Sequence, residues 1–363
     1  MSALIIDGKP LLEIPSPNTL PVPDEIIKQI QKKLHESLRK YRFNGTALIA
    51  IKNEIIFEEA RGTANFSTKL PLSLESSFQL ASASKPFTAL SIMILKERNL
   101  LDYDDKADKF LPDFPYPETS IRHLLNHTSG LQNYMYLVDN YWDNDSTLSN
   151  QKMLDLLVSH NLPLNNIPGR RFEYSNTGYA ILALIVEKIT TQYFGDFLQI
   201  EIFDKLGMKN TFVYDRHFIE SNSNQVIGYN NKGRRLRPFY HDANNEILGD
   251  KSIYSTVRDL YKFTTALNKY ELVDKKTLDE GYAKAILKNS RSVNYGFGWR
   301  FSENGHHNYI FHNGAWHGFT STITLEPDKN ITLLLLNNTN ASIATIKNDL
   351  LYILHAQLEP YLQ

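Results

Sequence analysis

Serine and lysine separated by two residues occur as a pair at Ser37/Lys40, Ser82/Lys85 and Ser149/Lys152. At this spacing both side chains share one face of a helix, so the ammonium can reach the hydroxyl. A serine hydroxyl becomes a useful nucleophile only when a neighbour takes its proton. A lysine can do this once its own proton affinity is lowered. Position separates the three pairs. Ser37 lies in a charged amphipathic helix whose buried stripe is Ile30, Leu34 and Leu38, and Ser149 follows the polar loop Asp143-Asn144-Asp145-Ser146. Ser82 opens a long apolar helix, Phe87 to Leu95, from a polar turn. A helix N-terminus there stabilises developing negative charge, and Pro86 falls where a first-turn N–H has no intrahelical partner. Read alone, the same residues also describe an N-cap serine followed by a surface lysine.

Tyr174-Ser175-Asn176 is the second candidate, between the turn at Pro168-Gly169 and a helix beginning near Gly178. A phenol beside an ammonium loses its proton more easily. The Asn amide both donates and accepts, which suits an ester or amide substrate. Tyr229-Asn230-Asn231 repeats the spacing inside a presumed hairpin turn. The third candidate is His312-Asn313-Gly314-Ala315, at the end of a strand. A glycine there allows close approach of a substrate. The N–H groups of Ser82 and Ala315 would together make an oxyanion hole. Each of these two segments also has a purely structural reading: a capping asparagine and an edge-strand glycine.

The order Ser-x-x-Lys, Tyr-x-Asn, His-x-Gly resembles the serine β-lactamase and penicillin-binding-protein superfamily. Flanking residues add to the likeness: Leu124-Leu125-Asn126-His127-Thr128-Ser129-Gly130-Leu131, Phe172 to Tyr179, Ser255 to Leu260, and His312 to Phe319. The resemblance spans residues 42 to 338 and is nearest to the branch of class C β-lactamases, D-amino-acid peptidases and carboxylesterases. It implies an acyl-enzyme serine hydrolase acting on an ester or amide bond, with no cofactor. Ser82 would be the acylated nucleophile, Lys85 would accept or relay its proton, and Tyr174 would be a general base and acid partner. Asn176 would hold a substrate carbonyl. His312, Gly314 and Ala315 would line the substrate side, with Ala315 in the oxyanion hole. At its ordinary pKa of about 10.4 a lysine is no base at neutral pH, so a depression of about three units is required.

Two departures bear on the substrate. His312 stands where relatives carry lysine or histidine, and Asn313 replaces the usual hydroxyl residue. A neutral histidine offers no fixed charge to a carboxylate. This weakens a β-lactamase assignment and favours an esterase, or a peptidase with another carboxylate anchor. Gly249-Asp250-Lys251-Ser252 replaces a glycine-rich stretch, so charge is expected along one pocket edge. The alternative in another class is a non-catalytic protein on the same fold that binds peptide or cell-wall fragments. Intact Ser82, Lys85 and Tyr174 favour the enzyme.

The composition of the 363 residues is that of a globular protein: 42% hydrophobic, 22% charged, formal charge −1. The balance gives no overall attraction to nucleic acid, and the basic cluster Arg234, Arg235, Arg237 sits at a hairpin signal. The absence of cysteine excludes disulfides and thiolate chemistry. No apolar run approaches a membrane span. Residues 1–23 do not read as a signal peptide, although the resemblance implies a periplasmic or secreted protein. His306, His307, His312 and His317 cluster in sequence, but no Asp or Glu accompanies them in a recognisable ligand spacing, and His123 and His127 lack the glutamate of a zincin. No metal site is expected. The partner expected is a small-molecule or peptide substrate, and oligomeric state is left open.

The elements that must position these residues follow from periodicity. A helix capped by Asp24 carries Ile26, Ile27, Ile30, Leu34, Leu38 and Tyr41. Strands at 46–52 and 55–60 flank Asn53. Helical patterns dominate 119 to 245, at 121–126, 153–159, 178–190 and 197–206. A helix begins at 256, strands return at 295–301, 309–312, 319–325 and 331–336, and a last helix carries Ile343, Ile346, Leu350 and Leu354. The expected fold is α+β: an antiparallel sheet built from N- and C-terminal segments and flanked by helices, with an inserted mostly helical domain, as in the β-lactamase/transpeptidase type. Residues 1–23 read as a tail or linker, 24–118 with 246–363 as the α/β sheet domain, and 119–245 as the mostly helical domain.

Overall fold

The computed structural model describes residues 22–143, 147–214, 226–232, 235–239, 242–304 and 307–361. A six-stranded antiparallel sheet is made by β1 (Gly45–Ile51), β2 (Glu54–Arg61), β3 (Arg300–Asn304), β4 (His307–Trp316), β5 (Phe319–Glu326) and β6 (Ile331–Asn337), in the order β3-β4-β5-β6-β1-β2. The two ends of the chain therefore meet at the centre. There β1 runs along β6 from Gly45 opposite Asn337 to Ile51 opposite Ile331. Both strands are buried along their whole length, which explains why they read as unbroken apolar runs. The β1–β2 turn uses Lys52 and Asn53, both at positive φ (48° and 66°), the backbone that a two-residue hairpin demands.

Alternation sorts the two faces. Ala47, Ile49, Ile51, Leu333 and Leu335 pack on α1 (Asp24–Lys40) and on the C-terminal helix through Ile30, Leu34, Leu38 and Leu350. Leu48, Ala50, Ile323, Leu334 and Leu336 face the main core, which includes α2 (Lys85–Glu97), α3 (Asn176–Thr190), α4 (Val257–Asn268) and the smaller helices between. The C-terminal helix, α5, spans Ile343–Leu358. In α2 every residue from Lys85 to Leu95 is buried, and in α3 every residue from Thr177 to Val186. Helices apolar on all sides belong inside.

Several expectations are corrected. Asp24 is the first helical residue of α1 rather than its cap, and Pro23 holds the cap position without a side-chain bond. The strand expected at 295–301 is a loop, and pairing begins only at Arg300. Gly298 explains this. Its φ is +77°, and a Cβ there would stand 2.9 Å from the Lys85 carbonyl oxygen. The helix expected over 197–206 contains a wide turn at Gln199–Phe203 between Phe194–Leu198 and Asp204–Leu206. Two helices were not expected: Tyr134–Tyr141, only two turns long, which buries the short stripe Tyr134, Leu137 and Val138, and Lys275–Gly281, where Leu278 is the one large apolar side chain buried. A hairpin is found where one was expected, but Tyr229–Lys232 is a strand of it, paired with Arg235–Pro238, rather than its turn; Gly233 and Arg234 lie outside the described residues, as do the tail to residue 21, Asn144–Ser146 and His306. Among the described residues no helix is long and apolar enough to cross a membrane.

Leu350 is fully buried between α5 and the sheet. Leu350→Ala is expected to cost about 2–5 kcal/mol, read in guanidinium unfolding as a lower midpoint at unchanged slope.

Candidate active site

The three serine–lysine pairs have three different fates. Ser149 caps the helix Asn150–His160, its oxygen accepting the Lys152 N–H. Ser37 is buried in α1 and donates to the Asp349 carboxylate. Ser82 stands in a single tight turn, Ala81–Ser84, that runs straight into α2. Ala81 holds φ at +49°, a left-handed conformation that an L side chain resists. Ser321 on β5 donates to the Leu80 carbonyl at 2.6 Å, so the turn is tied to the sheet just ahead of the strained residue.

Lys85 reaches back along the turn. Its Nζ lies 3.2 Å from Ser82 Oγ, 2.9 Å from Asn176 Oδ1 and 2.8 Å from the Asp250 carbonyl oxygen. Its three N–H positions are thus matched by three oxygens, none of them a carboxylate. The aromatic rings of Tyr174 and Tyr179 complete the enclosure, with centroids 4.9 and 5.5 Å from Nζ. Burial brings the Lys85 pKa down to about 7, against the pull of the Asp250 carboxylate and with help from the Arg300 guanidinium. The partners are themselves fixed. Thr88 donates to the Gly249 carbonyl at 2.6 Å and Ser84 accepts the Ile253 N–H at 3.1 Å. Gly249, at φ +98°, lies where a Cβ would be 2.4 Å from the Tyr179 carbonyl oxygen. Asn176 is the first residue of α3.

Tyr174 is held by packing against a tilted imidazole. The His127 ring lies 4.1 Å from it, centroid to centroid, and His127 Nδ1 accepts the Ser175 N–H at 3.2 Å. Burial raises the Tyr174 phenol above its ordinary pKa, while its hydrogen bond with Ser82 and the nearby Arg300 pull the other way. The group is a neutral phenol near pH 7.

His312 sits on β4 and is buried. Hydrogen bonds run in one direction from His127 to it. With Nδ1 already an acceptor, His127 donates through Nε2 to the Tyr295 hydroxyl (3.0 Å); Tyr295 donates to His312 Nε2 (3.1 Å); and His312 Nδ1–H donates to the Asn313 carbonyl (2.8 Å). Burial first, then Lys85, push both histidines well below the ordinary imidazole range. Gly314 is where β4 meets the Ser82 turn, since a Cβ there would be 1.9 Å from the Leu80 carbonyl oxygen. The pairing of β3 with β4 ends at Phe311, which leaves that side of β4, through Ala315, without a strand partner among the described residues.

Asp250 and Lys251 do not form the charged pocket edge that the sequence suggested. Both are buried. Their side chains pair with each other at 3.2 Å, and Tyr134 bonds to both. Arg300 was not read from sequence. Its guanidinium carbon lies 5.1 and 5.4 Å from the ring centroids of Tyr174 and Tyr295, and its field reaches Lys85, His127 and His312. Among the described residues it has no acidic partner. Only the register of β3 against β4 puts it there, and no local motif marks it. Tyr295 was missed for the same reason, being expected in a strand.

A family model described as beta-lactamase matches residues 24–358. The chain belongs to the beta-lactamase family. It is a serine hydrolase of that related type, as the motif order implied. Penicillin-binding protein 4* of Bacillus subtilis is 36% identical over 328 residues, covering 86% of this chain and 73% of its own length. The octameric penicillin-binding protein homologue of Pyrococcus abyssi superposes with a TM-score of 0.77 at 24% identity, over 92% of this chain and 77% of that one. The D-amino acid amidase of Ochrobactrum anthropi SV3, in complex with L-phenylalanine amide, gives 0.73 at 23% identity, over 92% and 99%. The likeness to these two structures is one of fold.

The depressed Lys85 pKa has a consequence for stability in this beta-lactamase-family chain. Between about pH 7 and 10.5 the unfolded lysine holds a proton that the folded one has released, so stability should rise with pH in that window. Compared with Lys85→Met, the wild type should gain up to about 1.4 kcal/mol per pH unit, measured by guanidinium unfolding from pH 6.5 to 9.

Proposed function

We propose that this beta-lactamase-family protein cleaves an ester or amide bond through an acyl-enzyme on Ser82, in a small-molecule or peptide substrate that carries an anionic group. The observation that carries the reading is the Lys85 amine, buried 3.2 Å from Ser82 Oγ with its pKa near 7. A base poised at the working pH is the best use of such an amine.

In the proposed sequence neutral Lys85 takes the Ser82 proton as Oγ attacks the acyl carbon. The tetrahedral oxyanion rests on the Ser82 and Ala315 N–H groups. Tyr174, kept protonated by burial, hands its proton to the leaving alkoxide or amine and is refilled from the Lys85 ammonium. Collapse leaves the acyl-serine and the free alcohol or amine. Water then attacks the ester carbon, Lys85 takes the water's proton, and Ser82 recovers its own. The base role thus falls to Lys85 and the relay to Tyr174. Asn176 has committed Oδ1 to Lys85, which leaves its NH₂ to donate to a substrate carbonyl. The likeness in fold to a D-amino acid amidase supports an amide as one of the bonds cleaved.

Arg300 supports the anionic part of the reading. A planar fork of N–H donors without an acid partner suits a carboxylate. Neutral His312 supplies no such charge.

Ser82→Ala should abolish turnover of p-nitrophenyl butyrate, and retained turnover would remove Ser82 from the chemistry. Tyr174→Phe should lower kcat by about 10²–10⁴ with a smaller effect on KM. The pre-steady-state acylation rate should rise with pH to a plateau with a midpoint near 7, the Lys85 value. Arg300→Ala should cut kcat/KM by about 10–100-fold for a peptide substrate with a free carboxylate and by less than about threefold for its amidated analogue. Equal losses on both would refute the anionic assignment alone.

A further inference from the structure

We propose that His307, Glu326 and His355 form a binding site for a divalent transition-metal cation of the zinc type, on the far side of the sheet from the Ser82 chemistry. The three residues come from β4, β5 and α5. His307 Nδ1 lies 2.8 Å from Glu326 Oε1, and His355 Nε2 lies 2.7 Å from Glu326 Oε2. The three ligand atoms all lie within 4.8 Å of one another. Donors around a tetrahedral zinc are about 3.3 Å apart, so a small contraction closes the set.

The chemistry of the donors fits. Two imidazoles and one carboxylate suit a borderline cation. Glu326 is almost fully buried, at 1% exposure, yet both of its oxygens are turned toward imidazole nitrogens. The two rings are stacked, with centroids 3.6 Å apart and planes 13° apart, which brings both nitrogens to the same side. A partner for the other nitrogen of His355 is already present: the Tyr309 hydroxyl lies 3.4 Å from Nδ1. A ligating imidazole usually donates its remaining N–H to such a group. To take a metal, each ring presents an unprotonated nitrogen toward Glu326 and keeps its N–H on the other one, where the Tyr309 hydroxyl stands ready to accept from His355.

Lys329 is the competitor. Its ammonium lies 3.2 Å from His307 Nδ1 and 3.6 Å from Glu326 Oε1, where it balances the carboxylate. It stands on the short turn Pro327–Lys329 with its side chain at 17% exposure, so it can swing into water when a cation takes its place. The bound metal would pin α5 to β4 and β5. His307 is five residues along β4 from His312, a separation of about 17 Å, so the site is independent of acyl transfer.

The test is titration of the full chain with zinc chloride by calorimetry and equilibrium dialysis, with thermal melts alongside. One zinc per chain should bind and raise the melting temperature. His355→Gln and His307→Gln should each weaken binding by at least about tenfold, and Lys329→Ala should tighten it. Acylation of Ser82 should proceed at the same rate with and without zinc. The proposal is overturned if neither the wild type nor Lys329→Ala binds zinc at about 100 µM with a rise in melting temperature, or if stoichiometric binding survives in both histidine variants. Circular dichroism of each variant confirms that a loss of binding is not a loss of fold.

Discussion

A lysine amine enclosed without a carboxylate in contact is the constraint on which the structure turns. Lowering the Lys85 pKa from 10.5 to about 7 corresponds to about 5 kcal/mol of disfavour for the charged form. A surface lysine relieves that by moving into water. Lys85 cannot, because α2 is buried from its first residue and three oxygens from three separate segments hold the amine. Each segment must be in place for the amine to be neutral rather than merely unsatisfied. The buried networks around it, Thr88 to Gly249 and Ser84 to Ile253, therefore help to hold the amine in this state.

The sheet contributes by bringing the chain ends together. β1 and β6 pair at its centre, and β4 and β5 lie beyond them. This puts Gly314 and Ser321 against Leu80, one residue before the left-handed Ala81. The Ser82 turn is thus pressed between the sheet and α2. Holding Ala81 at positive φ costs on the order of 1–2 kcal/mol. The hydrogen bond from Ser321 and the close approach at Gly314 keep the turn from relaxing.

The legible part of this chain is what local pattern encodes. The apolar runs at 46–51 and 331–336, the Asn53 turn and the stripe of α5 are period-two or period-3.6 signals, and they gave the strands and helices nearly as found. The Ser-x-x-Lys, Tyr-x-Asn and His-x-Gly segments were legible because each is short; the first two sit where a helix starts, whereas His312–Ala315, expected at the end of a strand, lies inside β4, which runs on to Trp316. What register alone decides stayed hidden. Arg300 is one basic residue on a strand, placed beside Tyr174 only by its pairing with Phe311. Tyr295 becomes a bridge between two histidines only because glycines 296 and 298 fold residues 294–299 into a loop. Glu326 and His355 join His307 from 19 and 48 positions away; the histidine cluster in the sequence separates in space, with His312 at the active site and His317 paired with Asp242.

The electrostatics of the site follow from which cations remain charged. His127 and His312 are kept neutral by burial, Lys85 sits near its own midpoint, and Lys251 is matched by Asp250. Arg300, without an acidic partner among the described residues, lies close enough to lower the Lys85 pKa. In the proposed function this links substrate charge to the strength of Lys85 as a base. An anion that pairs with Arg300 cancels the field that helped to deprotonate Lys85, so binding draws the amine toward its protonated form. The enclosure by Tyr174, Tyr179 and the Asp250 carbonyl works against this. Desolvation is the largest cause of the depressed pKa, and a bound substrate excludes further water from the same pocket. The lowered pKa of Lys85 therefore depends on burial first and on charge second, and a neutral His312 fits that order: a second fixed cation beside the amine would gain little deprotonation and would add an uncompensated buried charge.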